Sequence, residues 1–275
     1  MTSRPPRLPS FDRPPVTEVV LSLQFGMLGA MTSPYIGYLW ARFRDRYPKV
    51  TEQLPVDAFF ETFGTPPIAQ QPTIRFEQLT GPPTIRYWFE SADETSLCQV
   101  QQDRLIHNWR KRDSEYPRYE AVRAELVKDL ETFEEFLQSE KLGALNFNQS
   151  EISYINTIDL PGGDDPHGAI EQVISTWSRL DGVDRDLEDV VFRARFLMSK
   201  DGVPNARLHV NLTPAIRTTT MAHVVQLEMT YRGKPEAEDR ASALKLLDEG
   251  RAAIVVAFAD MTTPEMHDHW GRTDV

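Results

Sequence analysis

The chain has 275 residues, of which 40% are hydrophobic and 26% are charged, and its formal net charge is -11. This length and composition are typical of a globular protein that buries a substantial core. The acidic balance disfavours nonspecific nucleic-acid binding, because that binding depends on Lys and Arg neutralising phosphates. Cys98 is the only cysteine, which excludes an internal disulfide and a thiolate metal cluster.

The first fifteen residues contain five prolines and three arginines and lack the apolar run of a signal peptide. We expect residues 1–15 to form an extended, partly mobile arm. The most apolar run of the chain, AAIVVAFA, is too short to span a bilayer. We therefore expect a cytoplasmic protein with no membrane association.

The first half of the chain begins with a strand pattern. Hydrophobic residues alternate in VTEVVLSLQF, which predicts a half-buried strand. Ser33 and Pro34 then have the residue types of a helix N-cap and first turn, which predicts a helix up to Tyr47. The proline-rich residues after Pro48 are harder to assign, and we predict a short helix over residues 56–63.

Two hairpins and a long helix complete the first half. Residues 73–79 and 84–90 flank a Gly-Pro-Pro turn, and residues 96–101 and 104–110 flank Gln102-Asp103, so each pair predicts a hairpin. Apolar residues then recur every three or four positions over residues 119–139, which predicts an amphipathic helix.

The second half repeats this order of elements. A strand pattern passes through Ile152 and Ile158, and Asp165-Pro166 has the residue types that begin a helix. The remaining predicted elements are that helix over residues 166–180, strands over residues 190–199, 206–213 and 223–231, and a helix over residues 237–260. Asp201-Gly202 is the predicted turn between the first two of these strands.

The predicted fold class is α+β: two related β-α-β(3-4)-α units in which curved antiparallel sheets pack on long helices. We assign residues 16–142 to the N-terminal unit and residues 143–275 to the C-terminal unit, following the arm at residues 1–15. The two units could also form one compact two-lobed domain, with a groove between them.

The sequence lacks the familiar catalytic and metal-binding motifs. It has no Walker A loop, GxGxxG turn, GxSxG elbow or HExxH helix, and we predict neither a metal nor a cofactor. His267 and His269 would share a face in a strand but diverge in a helix, and Thr263-Pro264 predicts a helix start. A general base at His107 is the catalytic alternative left open, although a lone histidine is weak support for it.

The strongest candidate surface lies around the stretch LIHNWRK. Strand alternation directs Leu105, His107 and Trp109 to one face and Asn108 and Arg110 to the other. With the following Arg118 and Tyr119, this region is basic and aromatic in an acidic protein. The predicted ligand- or partner-binding residues are Arg104, His107, Asn108, Trp109, Arg110, Arg118 and Tyr119.

Structural roles are the competing interpretation of these residues. Trp109 and Tyr119 could join the strand to the helix that follows it, and the arginines could pair with nearby carboxylates such as Asp103 and Glu120.

Several segments carry a resemblance to a family. PPVTEVVLSLQF, QVQQDRLIHNWRK followed by YPRYE, YINTIDL and FADMTTPEMHDHWGR resemble, in that order, segments of a sporadically distributed bacterial protein family with no assigned activity. The resemblance spans nearly the whole chain, and its central block runs from Gln99 to Tyr119. It implies a bacterial protein and directs attention to the same region, and the patchy distribution suggests a mobile-element or phage-defence context.

The function expected from the sequence is therefore that of a non-catalytic binding or regulatory protein. Its partner would be another protein or a small anionic ligand, recognised by the basic aromatic surface. The alternatives are an enzyme that uses His107 and a small-molecule receptor with a pocket between sheet and helix, lined by residues such as Trp88, Phe133 and Phe196. The sequence leaves homodimerisation open.

Overall fold

A computed structural model describes residues 8–64, 85–159, 170–178 and 190–274. The chain is α+β, with a nine-stranded antiparallel sheet and helices packed on one face of it. The strands are β1 (Pro9–Phe11), β2 (Val16–Phe25), β3 (Lys49–Gln53), β4 (Arg86–Glu90), β5 (Ser96–Gln101), β6 (Arg104–Arg110), β7 (Phe147–Asp159), β8 (Phe192–Lys200), β9 (Val203–Arg217), β10 (Ala222–Gly233) and β11 (Arg272–Asp274). The helices are α1 (Ser33–Phe43), α2 (Tyr119–Glu140), α3 (Ile170–Val173), α4 (Arg240–Met261) and α5 (Pro264–Trp270).

The two halves of the chain pair their strands in the same order. The sheet order is β3-β4-β5-β6-β2-β7-β10-β9-β8, so in each half the first long strand lies beside the last one. The halves meet where β2 pairs with β7, with Leu21 opposite Ile152. Because this pairing is antiparallel, the halves are related by a pseudo-two-fold axis through the centre of one continuous sheet.

Both long helices cover the same face of the sheet, which we call the helix face. Phe25 of β2 packs against Phe133 of α2 with ring centroids 5.9 Å apart. A methyl group added to Gly250 of α4 would lie 2.6 Å from the Ile152 side chain of β7, which shows how closely this helix approaches the sheet. The helix face therefore holds the hydrophobic core.

Polar pairs join the outer sides of the two long helices. Asp248 of α4 accepts hydrogen bonds from Tyr119 at 2.6 Å and from Arg123 at 2.7 Å, both on α2. Near the start of α4, Arg240 pairs with Glu131 at 2.8 Å and Glu134 at 3.1 Å. These contacts fix α2 and α4 as antiparallel neighbours over the central strands.

Most elements match their prediction from sequence. The β5–β6 hairpin has the predicted bounds, α2 begins at the predicted Tyr119, and β2 covers the predicted VTEVVLSLQF. The β8–β9 turn lies at Asp201 and Gly202, where φ is 50° and 78° as a tight hairpin turn of this kind requires.

Four predicted elements differ from the structure or lie outside it. The helix predicted up to Tyr47 ends at Phe43, and its N-cap is Thr32 rather than Ser33. The short helix predicted over residues 56–63 is wrong, because these residues have no regular secondary structure. The helix predicted over residues 166–180 is helical only at Ile170–Val173 within its described part. Of the first predicted hairpin, residues 73–79 lie outside the described residues, while β4 pairs with β3 and β5.

The described part of the N-terminal arm, residues 8–15, is extended and attached to the C-terminal elements. β1 pairs with β11, and Phe11 packs edge-on against Phe258 at 5.3 Å and Trp270 at 6.1 Å. Arg118 donates a 2.7 Å hydrogen bond to the Phe11 carbonyl. The arm is thereby held across the ends of the central strands.

Candidate functional site

The structure divides the seven predicted site residues between the two faces of the sheet. His107 and Trp109 point to the helix face, whereas Arg104, Asn108 and Arg110 point to the opposite face, which we call the polar face. Five of the seven residues are buried: Arg104 (6%), His107 (1%), Asn108 (4%), Trp109 (5%) and Tyr119 (6%). The seven residues therefore do not form the single exposed surface expected from the sequence.

His107 belongs to a buried polar network. Its Nδ1 lies 2.7 Å from Oδ2 of Asp129, a carboxylate with no solvent exposure. Asp129 also accepts hydrogen bonds from the Tyr47 hydroxyl at 3.0 Å and from Arg46 at 2.8 Å. This network connects β6 to α2, and the His107 side chain within it is only 1% exposed.

Cys98 lies beside this network, opposite His107 on β5. It is fully buried, and burial together with the nearby Asp129 carboxylate raises the pKa of its thiol well above the ordinary value. A thiol in this state is not a nucleophile at neutral pH.

Trp109 and Tyr119 connect β6 to the helices, in agreement with the structural role that was the competing interpretation of these residues. Trp109 packs on Tyr116 with ring centroids 5.1 Å apart, and the Tyr116 and Tyr154 hydroxyls lie 3.1 Å apart. Burial raises the pKa of Tyr154 to about 12. Tyr119 is hydrogen-bonded to Asp248 of α4, so these aromatic residues connect β6, α2, β7 and α4.

Arg110 and Arg118 each have a structural partner. Arg110 forms a salt bridge with Glu90 of β4 on the polar face. Arg118 is exposed, but its guanidinium is directed at the backbone carbonyls of Phe11 and Asp12 in the arm. Only Arg104 of the seven residues contacts a segment that lies across the polar face.

That segment comprises residues 54–64, which we call the strap. Val56 and the Gln101 amide exchange two hydrogen bonds of 2.9 and 3.0 Å, and Arg104 donates a 3.0 Å bond to the Asp57 carbonyl. Farther along, Gln149 donates to the Phe59 carbonyl. Within the described part of the chain, every hydrogen bond made by the strap backbone is to a sheet side chain.

The strap crosses the strands one after another. Its successive contacts fall on β5, β6, β7, β10 and β9, and five strand spacings separate the first from the last. Five spacings amount to roughly 24 Å, whereas a helix from residue 56 to residue 62 would span only about 9 Å. Six extended residues reach about 20 Å, and the long side chains of the sheet cover the rest.

The far end of the strap is anchored by Glu61. Its side chain is only 2% exposed and forms salt bridges with Arg207 and with His209, the latter at 2.6 Å. Arg232 lies 3.8 Å away. Burial alone would raise the pKa of Glu61, but its hydrogen bond with His209 and the charges of His209, Arg207 and Arg232 outweigh burial and lower it.

Two aromatic rings flank Glu61 on the same side of the strap. The Arg232 guanidinium lies over the Phe59 ring at 4.5 Å, and the Arg207 guanidinium lies over the Phe63 ring at 5.3 Å. Phe59, Glu61 and Phe63 are spaced two residues apart, so an extended chain presents all three to the sheet. The intervening Phe60 is 52% exposed.

Acidification is expected to release this end of the strap. The pKa of Glu61 in the folded state is lower than its ordinary value of 4.5. Glu61 therefore stabilises the folded state at pH values above 4.5, and this stabilisation is lost as the pH falls through the lowered pKa. The backbone NMR resonances of residues 59–63 should therefore shift with pH, with a midpoint below 4.5. Glu61→Gln should remove this pH dependence, and identical profiles for the variant and the wild type would contradict it.

The residues that anchor the strap were not predicted from the sequence. Arg207 and His209 are two apart on a predicted strand and therefore share a face, which was an available signal. Their proximity to Arg232 follows from the β9–β10 register, in which Arg207 lies opposite Arg232. Nothing local in the sequence indicates that Glu61, some 150 residues earlier, meets them.

The residues proposed for a receptor pocket do not share a cavity. Phe133 is fully buried in the core against Phe25. Trp88 donates a hydrogen bond to Gln99 on the polar face, and Phe196 is 46% exposed on the edge strand β8. These three residues therefore do not line a common pocket between sheet and helix.

The C-terminal histidines diverge as their helical setting predicts. Within α5, His267 is buried, with Nε2 2.8 Å from the Thr262 hydroxyl, while His269 is exposed. Among the residues that the structure describes, no cluster of three or more His, Cys, Asp or Glu side chains could hold a metal ion.

Comparison with known proteins adds no relative: no family model, curated protein or solved structure matches the chain. Of the described helices, none is both long enough and apolar enough to cross a membrane.

Proposed function

We propose that this protein is a non-catalytic binding protein that recognises an extended segment of a partner protein on the polar face of its sheet. In the free protein, the strap itself lies on this part of the polar face, which we call the strap groove. The single observation that carries the proposal is the alternation of Phe59, Glu61 and Phe63, whose side chains meet Arg232, His209 and Arg207 of the sheet.

The mode of attachment supports this proposal. Sheet side chains bind the strap backbone at Val56, Asp57 and Phe59, and these bonds can form with many peptide sequences. The salt bridge to the Glu61 carboxylate, in contrast, requires an acidic residue. A groove of this kind selects an extended peptide with an acidic residue flanked by aromatic residues two positions away on each side. The chemistry of the partner is therefore aromatic-x-acidic-x-aromatic.

The strap also has little apolar surface to lose on release. Leu54 is 84% exposed, Phe60 is 52% exposed and Phe59 is 43% exposed. Attachment rests mainly on polar and cation–π contacts, so a competing segment with the same contacts can replace it at small cost. Arg104, one of the residues selected from the sequence, contributes to this groove through its bond to the Asp57 carbonyl.

The test uses a synthetic peptide with the sequence of residues 54–64, LPVDAFFETFG, carrying a fluorophore at its N-terminus. In the variant Glu61→Ala the tethered strap loses its anchor, so the peptide added in trans should bind and raise the fluorescence anisotropy. The same peptide with alanine in place of its glutamate should bind at least about tenfold more weakly, since a hydrogen bond to a charged group contributes roughly 1.5–3 kcal/mol.

The matched control is Glu115→Ala, which removes an exposed carboxylate outside the groove. In this variant the strap should stay bound, so the peptide should bind no better than it binds the wild type. Circular dichroism verifies that each variant is folded. If Glu61→Ala does not fold, the double variant Phe59→Ala/Phe63→Ala removes the two ring contacts instead. Failure of the peptide to bind a folded, opened variant would overturn the proposal.

A further inference from the structure

A second candidate site lies at the ends of the central strands, away from the strap. A cleft of about 430 Å³ opens between the arm, the ends of β2, β6, β7 and β9, and helix α5. We call it the terminal cleft. Its volume lies within the range of about 300–1,000 Å³ that is typical of small-molecule sites.

The terminal cleft is positively charged although the protein is acidic. Arg13, Lys111 and Arg217 line it together with a single carboxylate, Asp159. Arg217 pairs with Asp159 at 2.8 Å, so one of the three cations is neutralised. Arg13 donates to the His269 carbonyl at 2.9 Å, which leaves its charge without a carboxylate partner among the described residues.

Lys111 is the cation most available to a ligand. It is exposed, and its ammonium group has no hydrogen-bond or salt-bridge partner within the described ranges. Its backbone is nonetheless fixed, because its N–H donates a 2.7 Å hydrogen bond to the Thr17 carbonyl. A fixed backbone beside an unpaired cation is an arrangement that suits anion binding.

Hydroxyl groups and a rigid frame complete the cleft. The Thr17 hydroxyl donates to the Ile155 carbonyl at 3.1 Å and accepts from the Thr157 hydroxyl at 3.0 Å. The Thr157 N–H donates to the Pro15 carbonyl at 2.9 Å, so these residues form a fixed part of the cleft lining. On the other side, Trp270 and Met266 of α5 are buried. The cleft is therefore preformed, which limits the entropy that a ligand must overcome on binding.

We propose that the terminal cleft binds a small ligand that carries an oxyanion, either a phosphoryl or a carboxylate group. Lys111 and Arg13 supply the charge that has no carboxylate partner among the described residues. This proposal is independent of the strap groove, because none of the cleft residues contacts the strap.

Differential scanning fluorimetry of the full chain tests this proposal with two probes, inorganic phosphate and citrate. Each is titrated at low ionic strength against sodium chloride of equal ionic strength, because screening weakens exposed charge interactions. For the wild type, at least one probe should raise the Tm in a concentration-dependent manner beyond the chloride control. Which probe acts distinguishes a phosphoryl from a carboxylate ligand.

The variants decide whether the effect arises in the cleft. Lys111→Ala and Arg13→Ala should each weaken the apparent affinity for the active probe at least tenfold. Lys234→Ala and Arg44→Ala, which remove exposed cations elsewhere, should leave it unchanged. Absence of a Tm rise beyond chloride with both probes, or an equal rise in Lys111→Ala and the wild type, would overturn the proposal.

Discussion

Asp129→Ala is expected to lower the free energy of unfolding by about 3–5 kcal/mol, the usual cost of removing one partner from a buried charged network. The carboxylate has no solvent exposure and lies within 2.7–3.0 Å of His107, Arg46 and Tyr47. Its loss leaves His107 and the Tyr47 hydroxyl buried without this acceptor. Chemical denaturation monitored by circular dichroism measures the change.

Glu125→Ala is the matched control for Asp129→Ala. Glu125 pairs with the same Arg46, at 2.6 Å, but its side chain is 36% exposed. An exposed pair of this kind contributes less than about 1 kcal/mol, so the control should be close to the wild type. If the two variants were equally stable, the network around Asp129 would not be what holds α2 to β6.

Gly250→Ala is expected to lower the free energy of unfolding by about 1–3 kcal/mol, although alanine favours helices. A Cβ at this position would lie 2.6 Å from the Ile152 side chain and 2.7 Å from the Tyr231 ring. Both neighbours are buried and stiff, so α4 must move away from the sheet to accept the methyl group.

Gly37→Ala in α1 is the same substitution in an open setting. A Cβ there meets no atom within 4 Å, so the helix preference of alanine acts alone. The free energy of unfolding should rise by roughly 0.5–1 kcal/mol. Opposite signs for the two variants are the expected result, and a stabilising Gly250→Ala would show that α4 does not pack as closely as described.

Local patterns explain why so many elements were predictable. The β5–β6 hairpin, the Asp201-Gly202 turn and α2 each depend on residues close in sequence, either through turn geometry or through hydrophobic periodicity. The similar order of elements in the two halves was also visible, and both halves pair their strands alike.

The joining of the halves was not predictable in the same way. β2 and β7 are about 130 residues apart, and their register depends on complementary faces rather than on any turn between them. The same limit applies to the strap. Its sequence is compatible with a short helix, and only its attachment to β5 at one end and β9 at the other requires it to be extended.

Strand alternation separates the residues that were predicted to form one site. Consecutive strand residues point to opposite faces, so LIHNWRK contributes His107 and Trp109 to the core and Asn108 and Arg110 to the polar face. Adjacent polar residues in a strand therefore lie on opposite faces of the sheet and cannot form one site. Of the seven predicted residues, only Arg104 belongs to the groove that we propose.

One titration tests the central claim that the strap is an exchangeable occupant of the polar face. Fluorescence anisotropy compares binding of the labelled LPVDAFFETFG peptide by the wild type and by Glu61→Ala. In the wild type the tethered strap competes at a millimolar effective concentration, so we predict that the variant binds at least about tenfold more tightly. Equal affinities, or no binding by either protein, would contradict the claim.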